Sequence, residues 1–158
     1  MILRRTGLLL ALGTTVAALG PWRRVQAAPY SLPVARALDE DLARAVQQKK
    51  PLIVMVSLDG CPFCKMVRDS YLPSVQREQK IAVVQLDMRK TTPVKDALGR
   101  HTTHGALIKD WGVKLAPTLL FLGPGGIEIA PRLLGAAVPD FYDAYLQERI
   151  DTALQSFK

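Results

Sequence analysis

One unbroken apolar run, Leu52-Ile53-Val54-Met55-Val56, leads almost directly into Cys61-Pro62-Phe63-Cys64. A short run without polar alternation is the pattern of a strand covered on both faces, as in the middle of a parallel sheet. The stretch from Cys64 to Gln79 then carries Met66, Val67, Tyr71, Leu72 and Val75 at helical spacing, with a kink expected at Pro73. The two cysteines, the only ones in the chain, therefore fall where a buried strand hands over to a helix. Two cysteines cannot build a multi-bridge scaffold, so a hydrophobic core has to hold the fold together.

The flanking elements alternate. Leu38 to Lys50 reads as a helix with the stripe Leu38, Leu42, Ala45, Val46, acids in its first turn and Lys49-Lys50 in its last; Pro51 stops it. Ile81 to Leu86 is a second apolar strand. Residues 88–104 are polar, contain Pro93 and Gly99 and show no period, so they read as an extended loop with at most one short helical turn. Regular structure resumes at Ala106 to Trp111. Thr118 to Leu122 is a strand, Gly123-Pro124-Gly125-Gly126 a turn, and Ile127 to Ala130 an antiparallel return. From Pro139 onward, Tyr142, Leu146, Ile150, Ala153 and Phe157 mark an amphipathic helix. The pattern implies an α/β domain over residues 28–158, with a mixed central sheet and helices on both faces.

Residues 1–27 read as an export signal. Arg4 and Arg5 start it, Thr6 to Gly20 is uncharged and apolar, and Val25-Gln26-Ala27 offers a small-residue cleavage site. The apolar run is short of the roughly 20 residues that span a bilayer, and Arg23-Arg24 closes it. Arg4-Arg5 leaves both the general and the twin-arginine route open. The periplasm is the expected destination. This segment also explains the charge: of the net +7, four arginines and no acid lie within residues 1–27, leaving 17 basic against 14 acidic residues beyond. A scattered excess of that size does not suit a nucleic-acid binder.

Cysteines three apart at a helix start lie on one face, within reach of a disulfide. Unpaired N–H groups and the positive end of the helix dipole favour a thiolate at Cys61, which makes it the expected nucleophile. Cys64, one turn further in, is the expected resolving thiol, attacking a mixed disulfide and releasing the reduced partner. No cofactor is needed, because the pair itself carries the electrons. Three other readings stand beside this one. A static disulfide closing so small a loop would add little stability. A dithiol oxidase would use the same atoms in the opposite direction. A copper or zinc carrier would combine Cys61 and Cys64 with His101 and His104, the only histidines, although their spacing is short for zinc and they sit in the polar loop, where a solvated role is common.

The strand into Cys61-Pro62-Phe63-Cys64, the run Trp111-Gly112-Val113-Lys114-Leu115-Ala116-Pro117-Thr118, then Gly125-Gly126, Gly135 and a terminal helix together resemble the thioredoxin superfamily over about residues 38–157. The resemblance implies a cis proline at Pro117 facing the cysteines, and substrate contacts from Pro62, Phe63, Ala116 and Pro117. It also marks departures. Gly60 precedes Cys61, and Pro62-Phe63 is closer to the Pro-Tyr of glutaredoxins. Met55 stands where thioredoxins bury an acid that helps the second cysteine, and Val83 replaces the matching lysine. Asp59 is the nearest acid; it either assists Cys64 or caps the helix, and the cap is the favoured reading. Within the superfamily the chain most resembles exported thioredoxin-like proteins associated with sulfur oxidation. Between Ala28 and the first strand about 20 residues leave space for one helix and not for the dimerisation domain of exported V-shaped isomerases, so the expected role is a monomeric reductase of partner-protein disulfides, recharged by a membrane thiol-electron transporter.

Overall fold

The computed structural model describes residues 30–136 and 139–158; the expected export signal lies outside the described residues. The central sheet has four strands in the order β2-β1-β5-β6: β1 (Leu52–Ser57), β2 (Ala82–Asp87), β5 (Thr118–Leu122) and β6 (Glu128–Leu134). Strand β1 pairs parallel with β2, Leu52 opposite Ala82, and antiparallel with β5, Leu52 opposite Leu122. The mixed sheet expected from the order of elements is thus observed, with the unbroken apolar run as a central strand buried because both faces are covered, whatever the direction of its neighbours.

Side chains alternate across a strand, and here each face has its own core. Ile53, Met55, Val83, Leu119 and Phe121 share one side with Cys64 and with Tyr142, Leu146 and Ile150 of helix α5 (Pro139–Gln155). Leu52, Val54, Val56, Leu120 and Leu122 face the other, against Leu38 and Leu42 of α1 (Leu38–Gln47) and Leu107 and Ile108 of α4 (His104–Asp110). Burying each such side chain contributes about 1.5–3 kcal/mol of transfer free energy. Among the described residues no helix is long and apolar enough to cross a membrane.

Two helices differ in detail from the sequence reading. Helix α1 ends at Gln47, where the chain turns through Lys49 at φ +55. The helix after the cysteines is divided into α2 (Pro62–Met66), a π-helical turn (Val67–Tyr71) and α3 (Leu72–Arg77). Pro73 falls at the start of α3, where its missing N–H costs nothing, and the wider turn upstream takes up the mismatch. Strand β6 runs on past Ala130 to Leu134 and contains Pro131, which is tolerated because β6 is an edge strand.

Residues 88–104 are not the loop expected from their composition. Strands β3 (Pro93–Lys95) and β4 (His101–Thr103) form an antiparallel pair, Val94 opposite Thr102. Asp96 closes the turn between them: its Oδ1 accepts the N–H groups of Leu98 and Arg100, both at 2.9 Å, and its Oδ2 accepts Arg100 Nε at 2.7 Å. Burial pushes the Asp96 carboxyl up, but these bonds outweigh it and hold the group below the ordinary carboxylate range. Polar composition concealed this unit because its strands are short and the turn joining them is closed by the Asp96 side chain.

His104 was expected in solvent and is instead fully buried at the first position of α4. Its Nδ1 accepts the backbone N–H of Asp87 at 3.1 Å, and its Nε2 donates to Ala35 O at 2.9 Å. One ring thereby ties the end of β2 to the segment before α1, which itself bridges β2 at Val34–Gln85. Replacing His104 by alanine leaves a buried donor and a buried acceptor unpaired beside a cavity. We expect His104→Ala to lower unfolding free energy by about 2–4 kcal/mol, measured by urea denaturation.

Candidate active site

The turn Leu58 to Gly60 delivers Cys61 to the open end of α2. Gly60 adopts φ +71, a left-handed conformation in which a side chain is strained, and this accounts for glycine directly before the cysteine. Cys61, in extended conformation, is itself the N-cap of α2: its Sγ accepts the N–H of Cys64 at 3.1 Å. Asp59, expected to cap this helix, does not. Its carboxylate is turned outward to Lys90 Nζ at 3.1 Å, with its side chain 74% exposed, because the cysteine sulfur already occupies the capping position.

The two sulfurs sit in different surroundings. Cys61 is partly exposed and borders a cleft of about 370 Å³ lined by residues 57–62 with Lys65 and Arg68. Cys64 is 1% exposed and belongs to the core that contains Met55, Val83 and Tyr142. Burial pushes its thiol up to about 11, and the contact with Cys61 adds to that, while the Leu58 backbone and the Ser57 hydroxyl, both hydrogen-bonded to it, partly oppose the rise. The raised value makes the neutral thiol a stabilising feature. That contribution is whole below pH 9, the thiol's ordinary value, and is lost as pH climbs through about 11. Reduced protein should therefore lose stability over this window more steeply than protein carrying a Cys61–Cys64 disulfide, as paired denaturation curves would show.

Facing the cysteines, the Ala116–Pro117 peptide bond is cis, and the Cys61 thiol approaches Ala116 O at 3.9 Å. The loop is pinned from both sides: Pro117 O accepts Gly135 N–H at 2.8 Å, and the Thr118 hydroxyl donates to Leu115 O at 2.7 Å. Pro117 is buried, Ala116 partly buried and Pro62 exposed. Phe63 and Leu115 are each 52% exposed, large apolar groups left uncovered at this end of the molecule.

Sequence reasoning passed over Ser57. It ends β1, and alternation from Ile53 and Met55 puts it on the face of Cys64, a signal present in the sequence but unused. Ser57→Ala removes a hydrogen bond that favours the Cys64 thiolate. We expect resolution of a Cys61 mixed disulfide to slow about three- to tenfold near neutral pH and to recover as pH is raised, followed by stopped-flow quenching. Tyr142 has no comparable local signal. It reaches the site from α5, its ring 4.8 Å from that of Tyr71, and its hydroxyl is buried with no hydrogen-bond partner among the described residues.

The set Cys61, Cys64, His101 and His104 is not assembled. His101 is exposed on β4, both ring nitrogens of His104 are engaged, and among the described residues no three of His, Cys, Asp or Glu come together as a metal site.

A central strand that hands a Cys-x-x-Cys pair to a helix, opposite a proline loop, defines a thioredoxin-type fold. The model of the thioredoxin-like domain family matches residues 38–150, and the chain belongs to that family. Among solved structures it is similar to thioredoxin O2 of Arabidopsis thaliana in its oxidized state, at 17% identity and TM-score 0.50, over 74% of this chain and 93% of that one. It is likewise similar to a DsbH oxidoreductase, at 18% identity and TM-score 0.52, over 85% and 92% of the two chains. The periplasmic thioredoxin SoxS of Paracoccus pantotrophus, in reduced form, aligns at 22% identity and TM-score 0.46 over 66% and 99%. At such identities the likeness is one of fold. No curated protein matches the sequence.

Proposed function

We propose that this protein is a periplasmic thiol–disulfide oxidoreductase acting as a monomeric reductase of disulfides in partner proteins. The observation that carries the reading is the asymmetry of the pair: an accessible Cys61 whose sulfur accepts the Cys64 N–H, and a buried Cys64 one turn behind it. The Cys61 thiolate attacks one sulfur of a partner disulfide, and the other sulfur leaves and takes a proton. Cys64 then gives up its proton and attacks Cys61 Sγ, releasing the second partner sulfur as a thiol. Two electrons and two protons have moved to the partner, and Cys61–Cys64 is a disulfide. Phe63 and Leu115 offer apolar contact to the partner chain, and the backbone at Ala116 offers it hydrogen bonds.

The reducing direction is supported by how little the site stabilises a thiolate at Cys64. Cys64 lies among apolar side chains, and no acid stands at Met55. A dithiol whose reduced form is weakly stabilised gives up electrons readily, whereas strong oxidants stabilise theirs. Export rests on the sequence of residues 1–27, and a membrane thiol-electron transporter is the electron source consistent with that compartment. Acid quenching and thiol trapping in cells tests the direction: the pair should be mainly reduced, and a mainly oxidised pair would make the protein a dithiol oxidase instead.

A further inference from the structure

We infer that the protein selects partner proteins with acidic residues beside the target disulfide, held by a basic cleft formed by Arg89, Lys109 and Lys114. This deepens the reductase reading above and rests on it. The cleft encloses about 230 Å³, with Met88, Ile108 and Val113 as its apolar wall and the three cations exposed around it. Among the described residues none of the three cations is in an ion pair, while neighbouring charges are spoken for: Lys90 holds Asp59 at 3.1 Å and Asp87 at 3.9 Å. Asp110, next to Lys109 in sequence, lines a different cleft with Asp96 and Arg100.

Two connections place this cleft beside the cysteines. Met88, in its wall, donates its N–H to Ser57 O at 2.7 Å, and Ser57 lines the Cys61 cleft. Lys114 lies two residues before Ala116, whose carbonyl meets Cys61 Sγ at 3.9 Å. A chain running past Cys61 therefore meets apolar surface at Phe63 and Leu115 and unpaired positive charge next to it. The cleft is smaller than the roughly 300–1,000 Å³ usual for small-molecule pockets, and all three of its cations are exposed. That shape suits the carboxylates of an extended polypeptide rather than a small free anion. Over the whole domain the charge excess is mild and gives no hint of this; the effect comes from local clustering.

The test uses the reduced protein and two disulfide-bridged peptides that differ only in having three glutamates or three lysines beside the disulfide. At about 20 mM ionic strength the acidic peptide should be reduced about tenfold faster, and the ratio should fall below about twofold near 500 mM salt. In the triple variant Arg89→Glu, Lys109→Glu, Lys114→Glu the ratio should drop to one or invert, with folding checked by thermal unfolding. Equal rates for the two peptides at low salt, or a preference that survives charge reversal, would overturn the inference. An uncharged disulfide, hydroxyethyl disulfide, separates the two levels: if it too is not reduced, the dithiol reading itself falls and the selectivity with it.

Discussion

Cys64→Ser should turn the protein into a trap. With a disulfide peptide, Cys61 attacks and forms a mixed disulfide, but a serine hydroxyl cannot displace it, so the adduct accumulates to one equivalent and turnover falls at least about a thousandfold, or about 4 kcal/mol. Cys61→Ser should abolish turnover as fully and leave no adduct, because Cys64 is 1% exposed and out of reach of a partner disulfide. The two variants thus differ in kind while agreeing in activity loss. Non-reducing electrophoresis with mass analysis of the adduct reads the difference, and an adduct on Cys64 in the Cys61→Ser protein would reverse the assigned roles.

The second large effect is on stability. Met55 is fully buried in the core that holds Cys64, at the position where the resemblance to thioredoxins places an acid. On the neighbouring strand Gln85 is opposite Met55, and Val83, two residues before it, shares its face. Met55→Asp would place a carboxylate among the apolar side chains of this core. The expected cost is about 3–5 kcal/mol, read from urea denaturation. Adding Val83→Lys should recover at least about 1 kcal/mol of it, since the new charges then face one another. Full tolerance of Met55→Asp alone would mean that water reaches this part of the core, against the burial described here.

The strands, the terminal helix and the cysteine junction were legible because their signals are local: apolar runs, a helical stripe, Cys-x-x-Cys between them. What failed was set by distant partners. His104 reads as a loop histidine until Asp87 and Ala35, 17 and 69 residues away, supply its hydrogen bonds. The β3–β4 pair is built on Asp96, whose short-range bonds leave no hydrophobic period to detect. The mixed character of the sheet was legible from the order of elements and not from β1 itself, because a run buried on both faces looks the same in parallel and mixed sheets. Asp59 was misassigned for a different reason: acids are good caps, but here the nucleophile's own sulfur takes that place.

Dithiol exchange is tested most directly by mixing the reduced protein with one equivalent of a disulfide peptide and following both by mass spectrometry. The protein should lose the mass of two hydrogens and yield a Cys61–Cys64 linked fragment on digestion, while the peptide gains the same two hydrogens. A peptide left oxidised, with both cysteines still free after prolonged incubation, would contradict it.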